Sequence, residues 1–562
     1  MLLLNTSQKK IKKIREDIDS SCSNVPEYKS YEGATLQQFH KVSDEYILKL
    51  ISSMPSKTCI LDPIPTSIVK DVKELVPLIT KIVNASLESG QVPKKLKAAV
   101  IKPLLKQNGL DFNVLKNYRP VSNLPFVSKI IEKVVLDQLQ THLRDNDLLE
   151  INQSAYRKNH STETALLHVL ENLLVQTDNK MVSILALLDL SAAFDTLDHQ
   201  ILLTRLQITF GIEGTVLEWF SSYLCDRTQS VLIDDSQSNS VTLKYGVPQG
   251  SVLGPILFTL YTQPLSDILQ HFDCEYQKYA DDTQLSKSDE SSNFSSVVHE
   301  VESCIENITN WMKCNKLKLN PEKTEFIPIA SQRQLNNLNI NMASVDGHNV
   351  EFSSGAKDLG VHIDNTLSME KHISAVCRSA NYELRRISQI RSYLPQHCLE
   401  QLICCFVLSR LDYCNATLAG LPSKSLDKLQ KVQNNAARLI LKKSKREHVT
   451  PLLFELHWLP VKVRIDFKLA VMGYRFFENS LPTYLSLKLQ HYQPTRCLRS
   501  SDNCLLVQPH RHTKTFGERS FSFQVPNIWN KLPTNLKKSS SLSTFKKQLK
   551  THFFKQYFLP ND

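Results

Sequence analysis

The ten residues MVSILALLDL, 181–190, carry a single charge, and it comes second to last. A run this apolar reads as a strand buried on both faces. Such a strand must be covered by other elements, so it constrains the fold more than any other stretch of the chain. Its surroundings supply the cover. Across residues 95–363 apolar strands alternate with amphipathic helices, an α/β or α+β pattern. AAVIKPLLK predicts a strand and FVSKIIEKVVLDQLQTHLRD a helix. AAFDTLDHQILLTRLQ resumes helical spacing, QSVLIDDSQSNSVTLKYGV reads as a hairpin, and GSVLGPILFTLYTQPLSDILQ reads as one helix with a proline near its start. CEYQKYADDTQLS reads as strand, turn, strand.

The flanks differ. Residues 1–94 read as helices and loops with little chemistry on their face. SQKKIKKIREDID is an amphipathic helix or a disordered tail, and SIVKDVKELVPLITKIVNASLESG has helical spacing with Gly90 as its stop. From residue 364 onward the helices are rich in Lys and Arg, and Lys442–Arg446 holds four basic residues in five. The net charge of +11 over 562 residues suits a polyanionic partner such as nucleic acid, although a charge run by itself is usually a solvated face. Glycine is scarce, at 14, which argues against a glycine-rich nucleotide-binding architecture. None of the 13 cysteines forms a CxxC pair, so there is no zinc signature. The loose group Cys398, Cys404, Cys405 and Cys414 beside His397 reads as buried thiols, which suit a reducing compartment. MLLLN is too short for a signal-peptide core, and no apolar run approaches a membrane span. The expectation is a soluble intracellular protein.

Two places in the apolar strands carry carboxylates. Asp189 ends the buried strand; taken alone it is a strand-end cap. Asp281 and Asp282 stand side by side after Tyr279-Ala280. Asp is disfavoured in strands, and adjacent carboxylates repel unless a cation lies between them or a turn separates them. The pair is either a solvated turn or a metal site. Pro248, Gln249 and Gly250 form a turn that starts a helix, and such a turn can lie over a nucleotide. Asp195, Asp198 and His199 near a helix start read as structural.

Seven stretches in order resemble the successive blocks of the reverse transcriptase of non-LTR, LINE-type, jockey-like retrotransposons: NYRPVSNLPFVSKIIEK, NQSAYRKNHSTETAL, LALLDLSAAFDTLDH, GVPQGSVLGPILFTLY, YADDTQL, NKLKLNPEKTEF and KDLGVHID. They span roughly residues 95–370. HVTPLLFELHWLPVKVRIDFKL and FSFQVPNIWNKLP also resemble the carboxy-terminal region of these elements. The resemblance implies an α+β right-hand polymerase: fingers and palm with an antiparallel palm sheet at 95–363, a helical thumb at 364–425, and a basic, mostly helical nucleic-acid-binding region at 426–562, preceded by a helical extension at 1–94. Residues 1–94 are too short for the endonuclease that precedes the polymerase in the family.

The resemblance implies RNA-directed DNA synthesis, by transfer of a deoxynucleotide to a primer 3′-hydroxyl with two Mg²⁺ ions, or Mn²⁺ in their place, about 3.5–4 Å apart. Asp189 and Asp281 would bridge both ions, Asp282 would support the primer-side ion, and the Leu190 carbonyl would complete the other. Phe194 would sit under the sugar and clash with a 2′-hydroxyl; otherwise it is a core aromatic. Gln249 would touch the incoming nucleotide near its sugar or the template base, with Gly250 beside it in the substrate-binding turn. Arg119 would clamp the triphosphate, since a guanidinium suits bidentate phosphate contact. Arg157 and Lys158 would serve that pocket or the template backbone. Lys323 would protonate pyrophosphate; otherwise it is a solvated lysine after a turn. The partners so implied are an RNA template, a DNA primer or target and deoxynucleoside triphosphates, with no membrane. The expected place of action is the nucleus, after cytoplasmic synthesis. The rival reading is a truncated, inactive element remnant that at most binds RNA.

Overall fold

The computed structural model describes residues 2–21, 25–106, 109–493 and 504–559. The chain divides into two compact units. The first comprises Met1–Glu150, Asp189–Ile268 and Cys304–Asn320; the second comprises Ile151–Leu188, Leu269–Ser303 and Pro321–Asp562. Each is a mixture of helices and strands. In chain order the strands of the two larger sheets are β1 (Ala98–Leu105), β2 (Tyr118–Asn123), β3 (Val182–Leu188), β4 (Thr228–Ile233), β5 (Ser236–Gln237), β6 (Val241–Thr242), β7 (Glu275–Tyr279), β8 (Asp282–Asp289) and β9 (Glu325–Ile329).

The first unit carries the sheet β2-β1-β4-β5, with β6 also on β4. β2 runs antiparallel to β1, and β4 runs parallel to it. Ile101 and Val231 pack together with Val241 against them, and Ala99 and Val100 of β1 are buried as well. Larger side chains bury elsewhere in the unit, among them Trp219, Phe220 and Phe258, each 0% exposed. The amino-terminal stretch is helical over Leu2–Ser21. Arg15 ties that helix down with an ion pair to Asp198 at 2.6 Å and a position over the Tyr245 ring. Asp17 and Asp19 pair with Lys318 and Lys316.

The second unit carries the antiparallel sheet β7-β8-β3-β9. β3 is central and buried at every position except Leu187, as its apolar run requires. Leu185, Ile327 and Ile329 join a hydrophobic core that continues through the helix Thr162–Asp178 to the helices Glu370–Ile390, Ser423–Leu441, Val461–Phe477 and Leu542–Phe558. Three carboxylates of the helix Thr162–Asp178 bind the carboxy-terminal region. Glu163 accepts from the Ala416 N–H and from Lys468, Glu171 from the Ser522 N–H, and Asp178 from the N–H groups of His512 and Thr513. Their spacing of eight and seven residues keeps them near one face.

Three expected helices are broken. The stretch 67–90 is split: Val72 is extended, and a second helix starts at Val76 with Pro77 in its first turn. Proline suits that first-turn position, where its missing N–H costs no helical bond, and a 3-10 turn at Lys73–Leu75 links the two helices. Gly90 closes this helix at φ 62°, as expected. The stretch 192–207 is split at Leu197, because the Asp198 carboxylate accepts from the N–H groups of Gln200 and Ile201 and caps a new helix. The stretch 250–270 starts late, at Gly254, and is split into Gly254–Thr262 and Leu265–His271. Pro264 supplies no N–H at that break. The cysteine expectation also needs correcting. Cys414 is buried and Cys398 half-buried, but Cys404 and Cys405 are exposed, on a π-helical turn over Cys404–Leu408. Among the described residues no helix is long and apolar enough to cross a membrane.

Candidate active site

Tyr279 of β7 pairs with Asp282 of β8, which leaves Ala280 and Asp281 as a two-residue hairpin loop. Such loops favour positive φ, usually supplied by glycine, asparagine or aspartate; here Ala280 takes φ 58°. The loop lets two aspartates follow a buried strand. Asp281 is half-buried at its tip and Asp282 is exposed at the start of β8. The local charge shows in neighbouring groups. Burial, then the carboxylates of Asp281 and Asp282 together with Tyr279, raises the Tyr156 phenol. Burial pushes the Asp358 carboxyl up to about 7, with Asp282 adding to the rise and a hydrogen bond from Gln284 opposing it.

The last residue of β3, Leu188, pairs with Thr283 of β8. Asp189 is the next residue along the chain and the first of its segment in the first unit. It is half-buried. There the chain continues as a bridge between Leu190 and Leu319, with Ser191 N–H donating to Lys318 and Asn320 N–H donating to the Asp189 carbonyl. Those two bonds flank the bridge, so Leu190 and Leu319 form the non-hydrogen-bonded pair of an antiparallel ladder. The Leu190 carbonyl therefore points away from the 318–320 segment.

The first unit also gathers four of the substrate-contact candidates on one wall. Ser122 of β2 donates its N–H to the Gln249 carbonyl at 2.8 Å. Gly250, at φ 111°, lies so close that a Cβ there would stand 2.7 Å from the Ser122 carbonyl oxygen. Only glycine fits this approach. Val247 N–H reaches the Phe194 carbonyl and Gly246 N–H the Leu197 carbonyl. The Phe194 ring is half-buried and lies 4.7 Å from the Phe258 ring. The Gln249 amide donates to both oxygens of Asp195, at 3.0 and 3.1 Å. Arg119 is exposed on β2, three residues before Ser122. A cavity of about 600 Å³ adjoins this wall, lined by Lys9, Lys12, Lys244, Tyr245 and Asp195 among others. Asp198 and His199 have structural partners, the latter the Gly246 carbonyl.

The other candidates lie in the second unit. Arg157 is half-buried and donates to the Gln153 carbonyl at 3.2 Å; Lys158 is exposed. Lys323 is exposed in the 3-10 turn Pro321–Lys323, just before β9.

Two supporting residues escaped the sequence reading. Asp62 accepts from the Phe126 N–H at 2.6 Å, at the start of the helix Phe126–Asp145. Glu132 of that helix is 1% exposed and accepts from the N–H groups of Val252 and Leu253 and from the Tyr223 hydroxyl. Burial raises its carboxyl, against the pull of Arg227 and these bonds. A charge in line with Val135 and Leu139 on an apolar helix face was a signal for the second. The partner of Asp62 lies 64 residues away, beyond any local pattern.

A carboxylate or a backbone carbonyl is a hard oxygen donor, the ligand type Mg²⁺ takes. Among the described residues no group of three or more His, Cys, Asp or Glu side chains is placed to hold a metal ion. Mg²⁺ is commonly bound through one or two carboxylates, with waters and substrate phosphates as its other ligands.

Residues 104–361 match the family model described as reverse transcriptase (RNA-dependent DNA polymerase). The chain is 25% identical over 436 residues to an RNA-directed DNA polymerase from the mobile element jockey of Drosophila melanogaster, across 75% of this chain and 46% of that protein. It is 25% identical to a probable RNA-directed DNA polymerase from transposon BS of the same fly, across 73% and 48%. The corresponding protein of transposon X-element is 24% identical across 66% and 40%. The chain thus spans about half the length of the curated relatives it matches most fully. A solved structure of telomerase from Candida tropicalis superposes with a TM-score of 0.32 at 16% identity, covering 51% of this chain and 59% of that one; an overlap this low does not bear on the fold.

Proposed function

We propose that this chain, whose residues 104–361 match the reverse transcriptase family model, is an RNA-directed DNA polymerase of a non-LTR retrotransposon. The observation that carries the reading is local. The central strand of an antiparallel sheet runs into Asp189, and its last residue pairs with the strand that begins at Asp282. In this reading the sheet β7-β8-β3-β9 is the palm, the first unit supplies the fingers, 364–425 is the thumb, and 426–562 binds nucleic acid.

Two Mg²⁺ ions, when bound, would lower the pKa of the primer 3′-hydroxyl and offset the charge on the leaving pyrophosphate. Asp189 and Asp281 would hold both, with Asp282 and the Leu190 carbonyl supporting one each. Phe194 would exclude a 2′-hydroxyl by contact. Arg119 would fix the triphosphate by bidentate hydrogen bonds. The Gln249 amide is held by Asp195, so contact with a nucleotide would require it to exchange that partner; Gly250 keeps the turn close to β2. Lys323 would donate a proton to pyrophosphate, and Arg157 would serve the template side. The substrates are deoxynucleoside triphosphates on a primer paired to RNA, and the place of action is the nucleus.

The test is primer extension on RNA with Mg²⁺. Synthesis that stops with Asp189→Asn supports the reading. Folded wild-type protein that binds RNA and extends nothing would sink it in favour of an inactive remnant.

A further inference from the structure

The Ala280–Asp281 loop projects from the end of a hairpin, and its first residue stands in a conformation that costs a non-glycine side chain about 1–2 kcal/mol. Something must hold it there. The side chain that does so comes from far away in sequence. Gln153 is 1% exposed. Its Oε1 accepts from the Ala280 N–H at 3.1 Å and from the Ala155 N–H at 3.0 Å. Its Nε2 donates to the Ala280 carbonyl at 3.4 Å. One amide thus takes both the donor and the acceptor of the residue that precedes Asp281.

The clamp is itself fixed. Gln153 lies in a parallel bridge with Lys278 of β7: Lys278 N–H donates to Asn152 at 2.8 Å, and Ser154 N–H donates to Lys278 at 2.9 Å. The neighbouring Ser154 hydroxyl accepts from the Gln277 amide and meets the Tyr484 hydroxyl at 2.8 Å. Tyr484 reaches on to Thr164. Gln277 also pairs with His168. The backbone around Gln153 therefore has little room to shift, and its amide is presented to Ala280 ready-oriented.

We propose that Gln153 is a positioning residue for the Asp281 carboxylate. It holds Ala280 at positive φ, and so sets the direction in which the next residue leaves the hairpin. The proposal rests on the polymerase reading for its effect on rate, but the clamp has a readout of its own. No other side chain of this length does both jobs. Glutamate keeps the acceptor, loses the donor and brings a buried charge; methionine loses both.

The experiment uses the full chain with Gln153→Met, Gln153→Glu and the double variant Gln153→Met/Ala280→Gly. Hydrogen exchange at the Ala280 amide should accelerate at least about tenfold in Gln153→Met, as expected when a bond is lost from a locally opening site. Amides of β3 should keep their rates. In primer extension, kcat should fall about ten- to a hundredfold, the scale of a misplaced reacting group. The KM for deoxynucleotide should stay within twofold. Ala280→Gly should recover part of that kcat, because glycine takes φ 58° without a clamp. Gln153→Glu should lower kcat as well, and it serves if the methionine variant fails to fold. Unchanged exchange at Ala280, or kcat within twofold of wild type in both single variants, would overturn the proposal. So would failure of Ala280→Gly to restore any rate. If the wild type makes no DNA, the polymerase reading fails, and exchange at Ala280 alone decides the clamp.

Discussion

The two larger sheets solve different problems. β3 is buried along nearly its whole length and shares a core with five or more helices. β1 is buried only at Ala99, Val100 and Ile101 and is exposed at Lys102, Leu104 and Leu105. The proposed metal-binding aspartates follow β3 and β7. The proposed triphosphate clamp, Arg119, belongs to β2, which pairs with β1. In the proposed reading, the metal-binding carboxylates would follow strands of a densely packed sheet, and the triphosphate contact would stand on a strand pair whose far end is open to solvent.

That contrast can be broken in several ways. The largest expected effect is Asp189→Asn. It should cut primer extension by about 10³-fold or more, since it removes a charge that would hold both ions. The thermal midpoint should hold, because Asp189 is only half-buried. A matching loss of stability would mean that the residue serves the sheet instead. Next come core truncations, read by urea denaturation. Leu185→Ala in β3 should cost near the top of the about 2–5 kcal/mol range for such changes, and Ile101→Ala in β1 near the bottom, where a small cluster collapses easily. Equal costs would erase the distinction between the sheets.

Smaller effects sharpen it. Phe194→Val should raise incorporation of ribonucleotides relative to deoxynucleotides by about ten- to a hundredfold in single-nucleotide assays, the scale of a pocket opened by a few carbons. An unchanged ratio would leave Phe194 as a packing residue against Phe258. Arg119→Ala should raise the KM for deoxynucleotide about tenfold with kcat kept, the scale of one charge-assisted hydrogen bond pair.

The least abrupt effect is a pH slope. Asp358 is pushed up to about 7 by burial. The folded chain therefore keeps a proton that the unfolded chain releases above the ordinary carboxylate range. Stability from this group is fully present below that range and is lost as pH rises through about 7. The melting temperature should fall between pH 5 and 8, and Asp358→Asn should remove that part of the fall.

Much of the fold near the site was legible locally. The apolar run of β3 allowed no other placement, and the Tyr-Ala-Asp-Asp stretch between two strands announced a turn. Gly90 as a helix stop also held, because a positive φ has a local signature. The helix breaks at Leu197 and Pro264 were visible in principle, as an aspartate able to cap and a second proline, but helical spacing masked them. What the sequence hid were the supports. Gln153, Glu132 and Asp62 act on backbone groups of distant segments, and a polar side chain carries no mark of which carbonyl or N–H it will meet. The shared core of the carboxy-terminal helices and β3 was hidden for the same reason: it depends on tertiary contacts from Leu166 to Phe553.

The central claim is that the Asp281–Asp282 turn works in nucleotidyl transfer to a primer on RNA. The most direct test is extension of oligo(dT) on poly(rA) with Mg²⁺, wild type beside Asp281→Asn/Asp282→Asn, with thermal melting and RNA binding measured on both. The account predicts synthesis by the wild type and none by the variant, with both folded and both binding RNA. Synthesis by the variant at the wild-type rate, or none by a folded wild type, would contradict it.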